Sequence, residues 1–383
     1  MADIKLFLET RKKEGLLRSL RPIANRNKGI IGIENKEYID FSSNDYLGLS
    51  GHPRLAEESK IAIDEFGTAA CASRLLSGDL ELHHQLEREI ANFKNKEAAL
   101  FFNSGYQANT GFISSLYGRG DAIFFDRLSH ASIVDGVVLS QAKFFRFRHN
   151  DILHLEELLK KKRSKFKKAL LATESVFSMD GDKAPLKEFV RLKEKYDCEI
   201  FVDEAHATGI FGARGSGLAE EEHLEEKIDF IMGTFSKALA GFGAYLAVSK
   251  KIREYLINTC RSFIYSTALP PSIVACNLAS LKLVKEEPYR RQALIKAAEY
   301  LRNALKNRGF QVKGDSQIVP LIIGDNLKTV KFAKRLQQAG FWVLPIRPPT
   351  VSKGQARLRF SLTYDHNEEA LKKLINEISR IKI

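Results

Sequence analysis

The sequence is poor in the residues that build disulfide frameworks and metal fingers. It has four cysteines in 383 residues, and Cys71, Cys198, Cys260 and Cys276 form no C-x-x-C pair. Cysteines this far apart exclude a disulfide scaffold and a structural zinc site. We therefore expect reduced and mostly buried thiols.

Long apolar runs are also absent. No stretch approaches the roughly 20 apolar residues that a membrane-spanning helix needs. The first residues, Met1–Arg11, carry Asp3, Lys5 and Glu9 among apolar neighbours, which is not typical of a signal peptide. We expect a cytoplasmic protein that has no part in the membrane.

Positive charge is in excess, with 60 Lys and Arg against 47 Asp and Glu, a formal net charge of +13. Part of it lies in the run KKKRSKFKK at residues 160–168. Such a run is usually a solvated helix end, and the alternative is an anionic partner. Because the run lacks interleaved aromatics and a recognisable binding module, we do not expect nucleic acid. An acidic cosubstrate such as a CoA thioester or an acyl carrier protein is the preferred partner.

Short apolar runs alternate with helical stretches between residues 98 and 250. Six runs are predicted to be buried strands: Ala98–Phe102, Ala122–Phe125, Ala169–Ala172, Ile200–Val202, Phe230–Met232 and Tyr245–Val248. Helical spacing recurs between them, at Leu153–Lys162 and Leu186–Tyr196. The alternation predicts an α/β fold with a mainly parallel central sheet between helices.

The pattern changes on either side of this region. A long helix follows Pro270 and Pro271, and beyond Pro288 the order is helix, strand, helix, strand, helix. Ahead of it, Ile31–Phe41 resembles a hairpin with a turn at Glu34-Asn35. We predict an N-terminal arm (1–45), a large domain (46–287) and a smaller C-terminal α/β domain (288–383).

Polar groups follow several of the predicted strands, and parallel sheets bind ligands at that edge. Gly105 and Tyr106 open a helix whose free N–H groups suit a phosphate, although a glycine there can simply shape the turn. His130 follows the second strand, and a single histidine is more often structural. Asp203 and His206 follow the fourth strand; without a third ligand nearby, no metal is expected.

Thr234 and Lys237 follow the fifth strand. A lysine here could be a surface residue, yet its small and hydroxyl neighbours argue against that. Together these groups match pyridoxal phosphate (PLP), which needs an amine, an acid for its ring nitrogen and a phosphate cradle. Lys237 supplies the amine, Asp203 the acid, and Thr234 with Gly105 the phosphate contacts.

At these residues the chain resembles the α-oxoamine synthases, a family of fold-type I PLP-dependent transferases, from about residue 38 to the C-terminus. The segments that carry the resemblance are FSSNDYLGLS (41–50), FFNSGYQAN (101–109), DRLSHASIVDG (126–136), ESVFSMDGD (174–182), VDEAHATGIFG (202–212), TFSKAL (234–239) and IYSTALPP (264–271). The resemblance implies an acyltransferase that works as a homodimer with active sites at the interface.

The resemblance also implies a role for each site residue. Lys237 would carry PLP as an imine, and Asp203 would pair with the pyridine nitrogen. The remaining cofactor contacts would be Gly105, Tyr106 and Thr234 at the phosphate, His130 stacked on the ring, Ser178 and His206 near its phenolic oxygen, and Ser266 and Thr267 at the phosphate of the partner subunit.

One segment points to a branch of this family. IRPPTVSKGQARLR (346–359) is similar to members that join L-alanine to a pimeloyl thioester, of CoA or acyl carrier protein, in biotin biosynthesis. By that resemblance Arg359 would bind the amino-acid carboxylate with help from Asn44. Thr350 and Arg347 would line the acyl side. Arg18 matches a substrate-binding arginine, but it is equally consistent with a charge on a helix surface.

Two departures and several alternatives remain. Residues 67–74 read GTAACASR where the family has glycine and serine, and Gly243-Ala244 replaces a glycine pair; both bear on pocket shape. Glycine C-acetyltransferase and a serine-using palmitoyl enzyme are sibling alternatives that the 346–359 segment disfavours. A DNA-binding relative would be expected to carry an extra helix-turn-helix module, and we find no room for one in this sequence. An NAD enzyme would carry G-x-G-x-x-G after the first strand, and the sequence after Ala98–Phe102 lacks that motif.

Overall fold

The computed structural model describes residues 3–381. The helices are α1 (Ile4–Lys13), α2 (Pro53–Phe66), α3 (Glu81–Phe93), α4 (Gly105–Leu116), α5 (Ala131–Ser140), α6 (Ile152–Lys162), α7 (Leu186–Tyr196), α8 (Leu218–Glu221), α9 (Lys250–Thr259), α10 (Arg261–Ile264), α11 (Pro271–Glu286), α12 (Tyr289–Lys306), α13 (Asn326–Gln338) and α14 (Glu368–Arg380). A short 3₁₀ turn, Arg163–Lys165, follows α6.

The strands alternate with these helices along most of the chain. They are β1 (Asn25–Asn27), β2 (Ile30–Ile33), β3 (Lys36–Asp40), β4 (Ala98–Phe102), β5 (Ala122–Asp126), β6 (Lys143–Phe147), β7 (Ala169–Glu174), β8 (Glu199–Asp203), β9 (Phe230–Thr234), β10 (Ala244–Val248), β11 (Ile318–Gly324), β12 (Phe341–Trp342), β13 (Pro345–Ile346) and β14 (Ala356–Ser361).

The contacts divide the chain into two compact units. The first contains the residues up to Gly48, Ser178–Asp182 and the residues from Tyr289 onward; the second contains Leu49–Phe177 and Lys183–Pro288. The domain boundaries at residues 45 and 287 stay a prediction. The contacts group the N-terminal segment with the C-terminal one, because β3 pairs in parallel with β12. This pairing was not predicted, because β12 has only two residues and shows no strand pattern of its own.

The second unit is built on a seven-stranded sheet in the order β4-β10-β9-β8-β7-β5-β6. Neighbouring strands from β9 to β6 run parallel, and β10 is antiparallel to both β4 and β9. This confirms the predicted mainly parallel sheet. The six predicted strands are all present, but β6 was missed because Lys143 and Arg146 interrupt the apolar run in its sequence, KFFRF, at the sheet edge.

The core of this unit explains why its strands read as continuous apolar runs. Strands β4, β5, β7, β9 and β10 are buried at every residue. Phe112 of α4 packs its ring against Phe201 and Phe230 of the sheet, at centroid distances of 5.0 and 4.8 Å. Burial of both faces by helices removes the polar alternation of a half-exposed strand. The polar groups are left to the strand ends, where α4 and α5 begin.

The first unit contains a four-stranded sheet, β1-β2-β3-β12, and a three-stranded sheet, β11-β14-β13. The predicted hairpin is confirmed as β2 and β3, whose turn residues Glu34 and Asn35 have φ of 50° and 62°. Positive φ at both positions is the geometry of a tight two-residue turn. Helix α14 buries Leu371, Leu374, Ile375 and Ile378, the single apolar face of an amphipathic helix.

The cysteines are all free, with Cys198 and Cys260 buried, Cys276 half-buried and Cys71 exposed. The expectation of mostly buried thiols is therefore wrong for Cys71, which lies in the 67–74 loop. Among residues 3–381, no helix combines the length and the apolar content that crossing a bilayer requires.

Candidate active site

Lys237 lies in the loop that follows β9 and is half-buried. Its Nζ is 2.9 Å from Nε2 of the buried His206. The loop is held by Thr234 at the end of β9, whose hydroxyl donates to the Gly243 carbonyl at 2.8 Å. The main-chain N–H of Phe235 donates to the same carbonyl at 3.0 Å. These bonds fix the turn that presents the amine.

Asp203 ends β8, the strand next to β9, and its side chain is buried. Its Oδ1 accepts a hydrogen bond from the Ala205 N–H and its Oδ2 accepts one from Asn109 Nδ2, both at 2.9 Å. Parallel pairing of β8 with β9 brings Asp203, His206 and Lys237 to the same edge of the sheet. Asn109 was missed by the sequence analysis, although a polar residue on the buried side of α4 is a signal that could have found it.

His130 caps the N-terminus of α5, and its main-chain N–H donates to Glu174 Oε1 at 2.6 Å. Burial lowers the pKa of His130, while the nearby Asp203 carboxylate opposes the shift and Lys237 adds to it. Glu174 ends β7 beside Asp203, and burial together with the Asp203 charge raises its pKa to about 8. Glu174 was also missed, since the sequence analysis included it only as the first residue of the ESVFSMDGD segment and gave it no role.

Gly105 is the first residue of α4, where Ser104 caps the helix by accepting from the Gln107 N–H at 3.2 Å. The first N–H groups of a helix have no intrahelical partner, so this end suits an anion. Tyr106 is half exposed; its hydroxyl donates to Asp135 and its ring centroid lies 6.4 Å from that of His130. The two side chains predicted to contact the cofactor therefore lie next to each other.

Ser266 and Thr267 lie between the start of α4 and the 67–74 loop. Gln107 Nε2 donates to Ser266 Oγ at 3.2 Å, and Asn103 Nδ2 donates to the Thr267 carbonyl at 2.9 Å. Thr267 also forms a β-bridge with Ser73. Their predicted contact with a partner subunit's phosphate stays a prediction.

The other predicted residues lie in the first unit, around Arg359 on β14. The Arg359 guanidinium is buried and donates to the Ser178 carbonyl at 2.5 Å, to Asn44 Oδ1 at 3.3 Å and to the Tyr46 hydroxyl at 3.1 Å. The first unit thus brings together Arg359, Asn44 and Ser178. Tyr46 was missed; burial raises its pKa, and Arg359 opposes the shift.

Arg18, Arg347 and Thr350 also come together. Arg18 Nη2 donates to Thr350 Oγ1 at 2.8 Å, and Arg347 donates to the Gly15 carbonyl. Helix α1 ends at Lys13, so Arg18 is not a helix-surface charge. Burial, with the charge of Arg18, lowers the pKa of Arg347. Two cations close together favour an anionic ligand.

The residues at the sheet edge fit PLP. A buried carboxylate that accepts two hydrogen bonds can hold a protonated ring nitrogen, and a half-buried amine lies near it. The aromatic ring of His130 can stack on the cofactor, and the open N-terminus of α4 can bind its phosphate. These two features complete the groups that PLP requires. In residues 3–381 no group of three or more His, Cys, Asp or Glu is arranged to hold a metal.

Comparison with known proteins agrees with this geometry. The family model described as aminotransferase class I and II matches residues 36–378. The 8-amino-7-oxononanoate synthase of Geobacter sulfurreducens is 46% identical over 98% of this chain and 96% of its own length. The putative 8-amino-7-oxononanoate synthase of Bacillus thuringiensis is 46% identical over 98% of this chain and 97% of its own.

Solved structures give the same result. The serine palmitoyltransferase of Sphingomonas wittichii matches with a TM-score of 0.93 at 33% identity, covering 98% of this chain and 96% of that one. The 8-amino-7-oxononanoate synthase of Francisella tularensis matches with a TM-score of 0.78 at 30% identity, covering 90% and 97%. Another serine palmitoyltransferase, with a TM-score of 0.92 at 30% identity and 99% and 96% coverage, contains PLP as an internal aldimine.

These matches confirm three predictions made from the sequence: the fold-type I architecture, the PLP cofactor and the acyltransferase class. The chain therefore belongs to the aminotransferase class I and II family of PLP-dependent enzymes, in the α-oxoamine synthase branch of the 8-amino-7-oxononanoate synthases.

Proposed function

We propose that this enzyme joins L-alanine to a pimeloyl thioester, of CoA or acyl carrier protein, and releases 8-amino-7-oxononanoate, CO₂ and the free thiol. The observation that carries the proposal is 46% identity over 98% of the chain to a relative named for this product. The α-carbon of alanine forms a bond to the thioester carbonyl carbon, and the C–S bond breaks. The carboxylate then leaves as CO₂, and the α-carbon regains a proton.

Bound PLP supplies a ring that accepts electrons from the α-carbon of the amino acid. Asp203 holds the proton on the ring nitrogen, and Lys237 takes and returns the proton at the α-carbon. His206, 2.9 Å from Lys237 Nζ, orients that amine. By the family resemblance, Gly105, Tyr106 and Thr234 would bind the phosphate, His130 would cover the ring, and Ser178 would approach the phenolic oxygen.

Arg359 binds the carboxylate of alanine. Its guanidinium is held by Asn44, Tyr46 and the Ser178 carbonyl, which leaves little rotational freedom to lose on binding. A planar, oriented guanidinium suits a carboxylate better than a lysine amine would.

Arg18, Arg347 and Thr350 bind the anionic acyl substrate. The pKa of Arg347 is lowered by burial and by the charge of Arg18. An anion bound by the two guanidinium groups would therefore reduce the repulsion between their positive charges. The pimeloyl chain ends in a carboxylate that meets this need. An acetyl group has no such charge, which separates this proposal from glycine C-acetyltransferase.

The enzyme is a cytoplasmic homodimer in this proposal. Apolar side chains are exposed on the second unit, among them Val138 and Leu139 of α5 and Tyr265, which precedes Ser266, at 60%, 61% and 72%. Apolar surface of this kind is typical of a protein interface. Ser266 and Thr267, in the same region, would contact the phosphate bound by the other subunit. A monomer in light scattering with full activity would contradict the dimer.

The substrates are tested with the purified chain loaded with PLP. L-alanine, glycine and L-serine are each combined with pimeloyl-CoA, pimeloyl-acyl carrier protein, acetyl-CoA and palmitoyl-CoA, and the aminoketone and free thiol are measured. We expect alanine with a pimeloyl thioester to give the highest kcat/KM. A preference for glycine with acetyl-CoA would instead support glycine C-acetyltransferase.

A further inference from the structure

Asn109 of α4 is almost fully buried between the side chains of Asp203 and Ser132. Its Nδ2 lies 2.9 Å from Asp203 Oδ2 and 2.9 Å from Ser132 Oγ. Its Oδ1 is buried and has no hydrogen-bond partner among the described residues. The amide therefore uses both of its N–H groups and neither lone pair.

This orientation of the Asn109 amide is set by Asp203. An ionised carboxylate only accepts hydrogen bonds, and the other oxygen of Asp203 already accepts from the Ala205 N–H. The reversed amide would place two acceptors against each other, so Nδ2 must face the carboxylate. Its second N–H then points to Ser132 Oγ.

The hydrogen bond from Asn109 to Ser132 decides which way Ser132 is hydrogen-bonded to His130. Its hydroxyl oxygen accepts from Asn109, so its own hydrogen is available to His130 Nδ1, which lies 2.8 Å away. The main-chain N–H of Ser132 approaches the same nitrogen at 3.3 Å. Since both groups donate to Nδ1, the neutral ring carries its proton on Nε2.

The titratable groups around His130 are Asp203, Lys237 and Glu174. Burial lowers the pKa of His130, and Asp203 acts against that shift. Glu174 accepts from the main-chain N–H of His130, so it fixes the backbone at that residue. Burial and Lys237 disfavour a second proton on the ring and Asp203 favours it, and the two donors at Nδ1 occupy the nitrogen that would take that proton.

We infer that Asn109 and Ser132 are positioning residues that connect Asp203 to His130, so that the ionised carboxylate keeps the His130 ring neutral with its proton on Nε2. The inference rests on the proposed roles of Asp203 and His130 at the cofactor. A positive His130 ring against PLP would repel the protonated ring nitrogen that Asp203 holds. The hydrogen-bond chain prevents this.

The test follows the imidazole signals of full-length protein labelled with ¹³C and ¹⁵N in histidine, by NMR across a pH series, before and after PLP is added. The signal of His130 is assigned from its loss in His130→Gln. Ser132→Ala removes the hydroxyl donor, so we expect the pKa of His130 to rise. Ser140→Ala removes another buried hydroxyl from α5, which donates to the Val137 carbonyl, and should leave His130 unchanged.

Asn109→Ala removes the donor to Asp203 as well as the donor to Ser132. We expect it to raise the pKa of His130 and to weaken PLP binding roughly tenfold, the effect of one hydrogen bond to a charged group. Thermal melting checks that the variant folds; if it does not, Ser132→Ala carries the test alone. Titration of His130 as in the wild type in every folded variant would overturn the inference. Because NMR reads the chain itself, this result is distinct from a failure of the proposed substrates.

Discussion

Cys71 has a backbone conformation that a side chain disfavours. It is exposed in the 67–74 loop with φ of +58°, in the left-handed region that costs a non-glycine residue about 1 kcal/mol. Cys71→Gly should therefore raise the denaturation midpoint, with a gain in free energy of unfolding of about 0.5–1 kcal/mol. Cys71→Ala keeps the Cβ and should give no gain. Equal midpoints for the two variants would show that the conformation is not strained.

Removal of the Lys237 amine should abolish the covalent attachment of PLP and slow the reaction. Lys237→Ala should still bind PLP but should lose turnover by a factor on the order of 100 to 10,000, because no other side chain replaces its proton transfer. Borohydride reduction followed by mass spectrometry should add PLP to the wild type and not to the variant. Lys251→Ala, at an exposed position on α9, serves as the control. Covalent labelling of Lys237→Ala would place the attachment elsewhere.

The sequence showed the site residues that resemble a known family and missed those that only support them. Lys237 and Asp203 are recognisable by type and position, and the resemblance supplied their roles. Asn109 and Glu174 fall within the motifs FFNSGYQAN and ESVFSMDGD, but neither is the amine, the acid or the phosphate contact that PLP requires, so sequence reasoning assigned them no role. Their importance depends on hydrogen bonds between segments far apart in the chain.

At the scale of secondary-structure elements, the loop between β8 and α8 is anchored by a buried ion pair. Lys94, just after α3, donates to Glu204 Oε2 at 2.6 Å and to Thr208 Oγ1 at 3.0 Å, and it also contacts the Ser216 carbonyl. Burial acts to lower the pKa of Lys94, but Glu204 and Tyr245 together more than offset this effect, and the pKa is raised. The pair fixes the segment that carries Asp203 and His206.

Removal of one partner should cost more than removal of both. Lys94→Met leaves Glu204 buried and unpaired, which should lower the free energy of unfolding by about 3–5 kcal/mol. In Lys94→Met with Glu204→Leu no charge remains buried, so part of the loss should be recovered. Chemical denaturation of both variants measures this. A double variant no more stable than Lys94→Met would argue against an ion-pair role.

The direction of strands was harder to predict than their positions. Six of the seven strands of the large sheet follow from apolar runs, but the reversal of β10 does not, because a buried strand has the same composition in either direction. The pairing of β3 with β12 was missed for another reason. It joins segments about 300 residues apart through a two-residue strand.

At the scale of the whole molecule, stability towards acid depends on buried groups that must stay neutral. His366 is buried and stacked on Phe41 at 4.1 Å between ring centroids. Its Nδ1 accepts from the Thr363 N–H, so its Nε2 donates to the Asp40 carbonyl, both at 3.1 Å. Burial lowers the pKa of His366 to about 4.

The unfolded chain binds this proton near pH 6.5, whereas the folded chain binds it only near pH 4. Between those values the unfolded state holds more protons, so folding stability falls as the pH falls. For this group the loss from about pH 7.5 to about pH 5 is about 2 kcal/mol. His366→Gln should lower stability at neutral pH and reduce the pH dependence by that amount. Denaturation midpoints at the two pH values measure it, with the exposed His223→Asn as a control. An unchanged pH dependence in His366→Gln would mean that other groups cause the acid sensitivity.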